Sequence, residues 1–251
     1  MMPVRIIPRL DIKAPNLVKG VRLEGLRVLG NPAEFAQRYF EEGADELYYQ
    51  DIVASLYGRS NITELVTETA TRIFIPLTVG GGIRSLSDIQ NLLRAGADKV
   101  CLNTAAVKRP ELIREAARTF GTQCIVVGIE TIRQRDGSWK AFMDNGREHT
   151  GLDAYDWACR AVELGAGELL LTSVDREGTQ QGFELEFAQK VAQAVGVPVV
   201  VHGGAGSCQD VVAAAKAGVD GVAIASLLHY KKSGIAEIKQ TLEDAGLEVR
   251  R

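Results

Sequence analysis

The chain has 251 residues, 46% of them hydrophobic and 24% charged, with a formal net charge of −3. The length exceeds the commonest domain size but fits one α/β domain, so residues 1–251 are taken as a single unit. The weak negative charge excludes a general attraction to nucleic acid or anionic lipid, and no apolar run reaches the roughly 18 residues of a membrane span.

Short apolar runs alternate with amphipathic stretches eight times, and the runs predict strands over 4–10, 46–51, 75–80, 98–102, 124–130, 167–172, 197–202 and 219–224. The first run opens at Arg5 and is closed by Asp11, and a long loop over 13–31 follows, carrying Lys19 in Val18-Lys19-Gly20. Asn31-Pro32 sets a cap residue before a proline at the first helical position. The second strand opens at Glu46 and ends at Asp51, and the third runs into Gly80-Gly81-Gly82. Ser85 is placed to cap the next helix. The fourth strand begins at Lys99 and ends at Asn103-Thr104, and the fifth ends at Glu130. A second long loop, 131–152, contains Asp136-Gly137 and Asn145-Gly146, which suggest a small hairpin. The sixth strand begins at Glu168, with Asp175 just beyond it. The seventh ends at His202 before Gly203-Gly204-Ala205-Gly206, with Ser207 as a cap, and the eighth ends at Ala225-Ser226. Glycines at 43, 96, 165, 196 and 218 are placed for left-handed helix ends. Strands alternating with helices predict a parallel sheet, and eight units favour closure into a (β/α)8 TIM barrel over an open, doubly wound sheet.

The barrel is internally duplicated. Gly81 and its surroundings match Gly204 at an offset of 123, and Glu46 matches Glu168 at an offset of 122, so the chain divides into two (β/α)4 halves. Each half ends a strand in a glycine cup, Gly81 and Gly82 in one and Gly203 and Gly204 in the other. Without Cβ atoms such a turn lets backbone N–H groups approach an anion, and Asn103, Thr104, Ala225 and Ser226 can add donors. Two cups across one barrel mouth predict a ligand with a phosphate at each end.

Asp11 and Glu130 close the first and fifth strands, opposite each other and between the cups. Two such carboxyl groups can divide acid and base roles if their surroundings separate their pKa values. Asp51, Asp175 and Lys19 are further candidates at the mouth for substrate contact or loop organisation. Arg5, Glu46, Lys99 and Glu168 sit at strand starts, where they could pair two and two across the floor. The four cysteines, Cys101, Cys124, Cys159 and Cys208, form no C-x-x-C pair, and the three histidines show no ligand spacing. Reduced thiols, no metal and no cofactor are therefore expected. With no signal-type apolar region at the N-terminus, a cytoplasmic location is expected.

With these residues in view, the chain resembles the cyclase subunits of imidazole glycerol phosphate synthase, from histidine biosynthesis. The likeness runs from Arg5 to about Arg250, through Ile6-Ile7-Pro8-Arg9-Leu10-Asp11, Leu17-Val18-Lys19-Gly20, Phe74 to Ile83, Gly96 to Val100, Asn103-Thr104-Ala105-Ala106 and Glu168 to Thr179. The resemblance implies a partner glutaminase docked at the barrel floor, from which ammonia passes through the core. At the mouth, ammonia would react with a bis-phosphorylated formimino-aminoimidazole-carboxamide ribonucleotide to give imidazole glycerol phosphate and aminoimidazole-carboxamide ribonucleotide. It further implies that Asp11 is catalytic, that Lys19 grips substrate, and that Arg5, Glu46, Lys99 and Glu168 form the ammonia gate.

Four positions depart from the family pattern. Glu130 stands where aspartate is expected, Arg9 where cysteine or a small residue is usual, Glu177 for aspartate, and His202 for serine or cysteine. All lie on the catalytic face or in the core, while the floor residues are retained. The departures leave two alternatives beside the cyclase: a paralogue that delivers glutaminase-derived ammonia to a sugar-amidating enzyme of surface-polysaccharide synthesis, and a non-catalytic scaffold that activates a glutaminase.

Overall fold

A computed structural model describes residues 3–21, 24–54 and 62–250. In chain order, β1 (Arg5–Lys13), β2 (Asn16–Val21) and β3 (Glu24–Gly30) lead into α1 (Pro32–Glu41) and β4 (Leu47–Asp51). Next come α2 (Thr63–Ala70), β5 (Leu77–Gly80), α3 (Leu86–Ala95), β6 (Lys99–Leu102), α4 (Thr104–Lys108) and α5 (Glu111–Phe120). The second half holds β7 (Ile125–Arg133), β8 (Trp139–Met143), β9 (Glu148–Asp153), α6 (Ala154–Leu164), β10 (Glu168–Ser173) and α7 (Leu185–Ala194). It ends with β11 (Val199–His202), α8 (Cys208–Lys216), β12 (Gly221–Ile224), α9 (Ser226–His229) and α10 (Ile235–Asp244).

Eight of these strands are parallel and close on themselves in the order β1, β4, β5, β6, β7, β10, β11, β12, with Arg5 facing Gly221 across the last pairing. The predicted (β/α)8 barrel is the observed fold. Period-2 alternation explains its two cores. Ile6, Leu10, Leu47, Tyr49, Val100, Leu102, Val127 and Leu169 point outward and pack beneath the helices. Ile7, Tyr48, Cys101, Val126, Leu170, Val200 and Ala223 point inward and form a separate apolar layer in the lumen.

The duplication extends to hydrogen bonds. Ser85 with Asp88, and Ser207 with Asp210, build matching capping boxes at the starts of α3 and α8. Asp98 Oδ2 accepts from Leu77 N at 2.8 Å, and Asp220 Oδ2 accepts from Val199 N at 2.8 Å. These pairs fix the offset at 122, which matches Gly81 with Gly203 rather than with Gly204 as expected.

Three local expectations change. Of the stretch 13–31, the described residues 13–21 and 24–31 form a ribbon in which β2 pairs antiparallel with both β1 and β3, with Leu17 and Val18 buried against the barrel. The stretch 131–152 makes two turns instead of one hairpin, because both Gly137 and the Asn145-Gly146 pair adopt positive φ between β7, β8 and β9. Gly196 is not a left-handed cap. Helix α7 is closed by Val195 in extended conformation, three residues before Pro198. The predicted caps at Asn31, Gly96 and Gly165 are present.

Candidate active site

The lumen is charged at both ends. At the floor, Arg5 Nη1 lies 2.7 Å from Glu46 and 2.7 Å from Glu168, while Lys99 Nζ lies 3.0 Å from Glu46 and 3.2 Å from Glu168. This is the predicted two-and-two pairing. The alternation that puts Arg5 inward repeats at Ile7, Arg9 and Asp11, so β1 runs a charge, an apolar step and two more charges up the lumen wall. A small void lies directly above the floor residues, and Tyr48 and Leu170 line both it and the mouth cavity.

A second group of four charges occupies the mouth. Arg9 Nε donates to Asp11 Oδ1 at 2.9 Å, Lys19 Nζ lies 3.6 Å from Asp11 Oδ2, and Lys19 also bonds Glu177. Arg9, Asp11, Lys19 and Glu177 are all 3% exposed or less. Their internal pairing offsets the cost of burying them. The Arg9 guanidinium also lies 5.3 Å from the centre of the Tyr48 ring. Burial alone would raise the Asp11 carboxyl, but Arg9 and then Lys19 overcome it and hold the group at about 2. Lys19, expected to reach a substrate from a loop, is instead fixed by β2 into this buried network.

Beside these charges a cavity of about 470 Å³ opens at the mouth. It is lined by Gly81, Gly82, Asn103 and Thr104 of the first cup, by Asp51 and Glu130, by Arg9, Tyr48 and Gln50, and at its rim by Arg84, Lys108 and Arg109. Gly81 adopts φ +97°, and a Cβ there would sit 2.1 Å from the Asp51 carbonyl oxygen. Only glycine lets the turn pass so close to the end of β4. The tip between β8 and β9 folds over the cavity: Gly146 N donates to Glu130 Oε2 at 2.8 Å, Asp144 N to Thr104 Oγ1 at 3.1 Å, and Asn145 Nδ2 to Ile52 O at 2.9 Å. Burial raises the Glu130 carboxyl to about 7, and the hydrogen bond from Gly146 and the charge of Arg9 only partly oppose it.

The second cup does not line this cavity. Gly182 N donates to Gly204 O at 2.8 Å, and a Cβ on Gly204 would lie 2.1 Å from Gly182 O, so the segment after β10 packs directly on the cup. Gly203, Gly204, Ala225 and Ser226 are buried, and Asp175 accepts a hydrogen bond from Ser173 Oγ at 2.7 Å. His202 Nδ1 bonds the Ala223 carbonyl at 3.0 Å, and burial holds its ring neutral.

The cavity thus joins Glu130 to the first cup, and sets Asp11, Lys19, Asp175 and the second cup apart from it. Tyr48, Gln50, Arg84, Lys108 and Arg109 were not anticipated. Tyr48 and Gln50 were legible in principle, since they share the inward face of Glu46 at spacing two on β4. The rim cations follow the cups on α-helical or loop segments, where no spacing marks them.

A family model described as histidine biosynthesis protein matches residues 5–233. The chain belongs to that family. Among curated relatives, imidazole glycerol phosphate synthase subunit HisF of Legionella pneumophila is 58% identical over 210 residues, covering 84% of this chain and 99% of that one. HisF of Synechococcus sp. (strain CC9311) is 51% identical, covering 100% of this chain and 97% of the relative. HisF of Bacillus cereus (strain G9842) is 46% identical over the full length of both. Among the described residues, no helix of this family member is long and apolar enough to cross a membrane.

Proposed function

We propose that this chain is the cyclase subunit of imidazole glycerol phosphate synthase. It takes ammonia from a glutamine amidotransferase and converts the formimino-aminoimidazole-carboxamide ribonucleotide to imidazole glycerol phosphate and aminoimidazole-carboxamide ribonucleotide. The observation that carries this reading is 46–58% identity to relatives named imidazole glycerol phosphate synthase subunit HisF, spanning 84–100% of this chain and 97–100% of theirs. Two lumen carboxyl groups with widely separated acidities support it, because ring closure needs proton transfers beside a developing positive charge. Glu130, near 7, is the group that exchanges a proton at neutral pH. Asp11, near 2, remains an anion throughout.

In this reading the backbone N–H groups of Gly81, Gly82, Asn103 and Thr104 hold one phosphate of the substrate, and the rim cations Arg84, Lys108 and Arg109 add to its attraction. Gly203, Gly204, Ala225 and Ser226 hold the other after the segment around Gly182 gives way, with Lys19 and Asp175 contacting the body of the ligand. Arg5, Glu46, Lys99 and Glu168 gate ammonia entering from the floor, and the amidotransferase docks on that face. Phe74, 84% exposed on the floor side just before β5 and edge-packed on Phe40, supplies an apolar anchor for such a partner. Phe74→Asp is expected to weaken amidotransferase binding at least about tenfold, measured by titration calorimetry, and to leave ammonium-dependent turnover unchanged.

The direct test supplies the formimino ribonucleotide and ammonium salt without any amidotransferase, with Glu130→Asp assayed in parallel. The expected result is imidazole glycerol phosphate from the wild-type chain. Silence in the wild type together with activity in Glu130→Asp would overturn the proposal. It would favour the ammonia-delivery paralogue, a reading for which the pairing of Arg9 with Asp11 is the relevant observation.

A further inference from the structure

The inner wall of the mouth cavity carries unmatched hydrogen-bonding groups of both kinds. Among the described residues, the hydrogen bonding of the buried Arg9 guanidinium is confined to the bond from Nε to Asp11, so the Nη fork is left for the cavity it lines. Gln50, on the same wall, uses its carbonyl oxygen to accept from Tyr48, and its amide nitrogen has no described partner. Asn103 lines the same cavity, and its Oδ1 is buried and makes no hydrogen bond. Asn103 and Arg9 both act on the Glu130 carboxyl, so the three groups share one neighbourhood. A buried acceptor ordinarily has a donor, and with the Arg9 fork and the Gln50 amide on the same cavity wall Asn103 Oδ1 outlines a ligand.

We propose that Arg9, Gln50 and Asn103 form a primary-carboxamide subsite at the inner end of the cavity, with the Gly81 cup holding a phosphate of the same ligand at the outer end. The ligand's carbonyl oxygen accepts from the Arg9 fork and the Gln50 amide, and its NH₂ group donates to Asn103 Oδ1. Charge selects carboxamide over carboxylate. Arg9 is already matched by Asp11, and Lys19 by Glu177. A ligand carboxylate would add an unmatched negative charge beside Glu130 and would leave Asn103 Oδ1 without a donor. Arg9 is then a specificity-determining residue. The inference rests on the cyclase reading only for the choice of probe, since it concerns binding and needs no turnover.

The test is titration calorimetry of the full chain with three phosphomonoesters: aminoimidazole-carboxamide ribonucleotide, the corresponding aminoimidazole-carboxylate ribonucleotide, and ribose 5-phosphate. The wild type is expected to bind the carboxamide at least about tenfold more tightly than the carboxylate. Arg9→Lys, which keeps the charge but loses the fork, and Gln50→Met, which leaves the Arg9–Asp11 pair intact, are each expected to weaken carboxamide binding about tenfold or more. Neither should change the affinity for ribose 5-phosphate. Equal or tighter binding of the carboxylate, no binding of the carboxamide, or an equal loss for ribose 5-phosphate in both variants would overturn the proposal. A chain that binds the carboxamide as described yet fails to turn over the formimino ribonucleotide would retain the subsite and lose the cyclase reading.

Discussion

Glu130→Gln is expected to lower ammonium-dependent turnover by about 10²- to 10⁴-fold, the usual contribution of a positioned acid or base, with little change in KM. The carboxyl sits near 7 because burial disfavours its charged form, while Gly146 and Arg9 only partly oppose this. Acting as an acid, it is competent below that value, so at a fixed concentration of free ammonia the wild-type kcat/KM should fall as pH rises through about 7. The falling limb should vanish in Glu130→Gln and persist in Glu130→Asp. Asp11, held near 2 by Arg9 and Lys19, contributes no inflection anywhere in the neutral range. Stability provides an independent readout. A carboxyl raised on folding favours the folded state below its unfolded value of about 4.5, and that contribution is lost as pH rises through 7. Glu130→Gln should therefore flatten the decline in stability between those values. A variant with an unchanged pH–rate profile would remove Glu130 from the chemistry.

The second large effect is expected at the floor. Arg5→Ala removes the cation that lies 2.7 Å from both Glu46 and Glu168, and leaves two buried carboxylates to share Lys99. Removing one partner from a buried ionic cluster typically costs about 3–5 kcal/mol. For a chain of this size that corresponds to a fall in Tm of about 10 °C, measurable by thermal denaturation. The double variant Arg5→Ala with Glu168→Ala keeps one cation and one anion, and should lose much less than the sum of the two single changes. Additive losses would mean that the four charges do not act as a unit. In the complete complex, Arg5→Ala should also lower glutamine-dependent turnover relative to ammonium-dependent turnover, because the gate and the stabilising cluster are the same residues.

The floor was legible because its information is local. Arg5, Lys99 and Glu168 each begin a strand, Glu46 directly precedes one, and period 2 turns all four into the lumen. The caps at Ser85 and Ser207 and the two cups were legible for the same reason. Lys19 was legible as a residue but not in its place. Read as part of a loop it faces solvent, whereas the pairing of β2 with β1 turns it inward to Glu177, 158 positions away in sequence. The covering of the second cup rests on a contact between Gly182 and Gly204 that no spacing announces. At the mouth, Arg9 and Asp11 are two apart on one strand face, so their proximity was readable. Their bond was not, because Asp11 had alternative cations and Arg9 an alternative wall.

The floor also distinguishes the two halves of the duplicated scaffold. Arg5, Lys99 and Glu46 give the first half a surplus of one positive charge, and Glu168 supplies the second half's single negative one. The position matched to Lys99 is Gly221, whose missing side chain leaves room for Arg5 and Ile7. Each half is therefore the electrostatic complement of the other, despite sharing caps, strand-foot aspartates and cups. A barrel assembled from two copies of the first half would enclose two uncompensated cations at its base, and one from two copies of the second would enclose two uncompensated anions. The charge balance at the base therefore favours one half of each kind, whatever differences the two halves carry at the mouth.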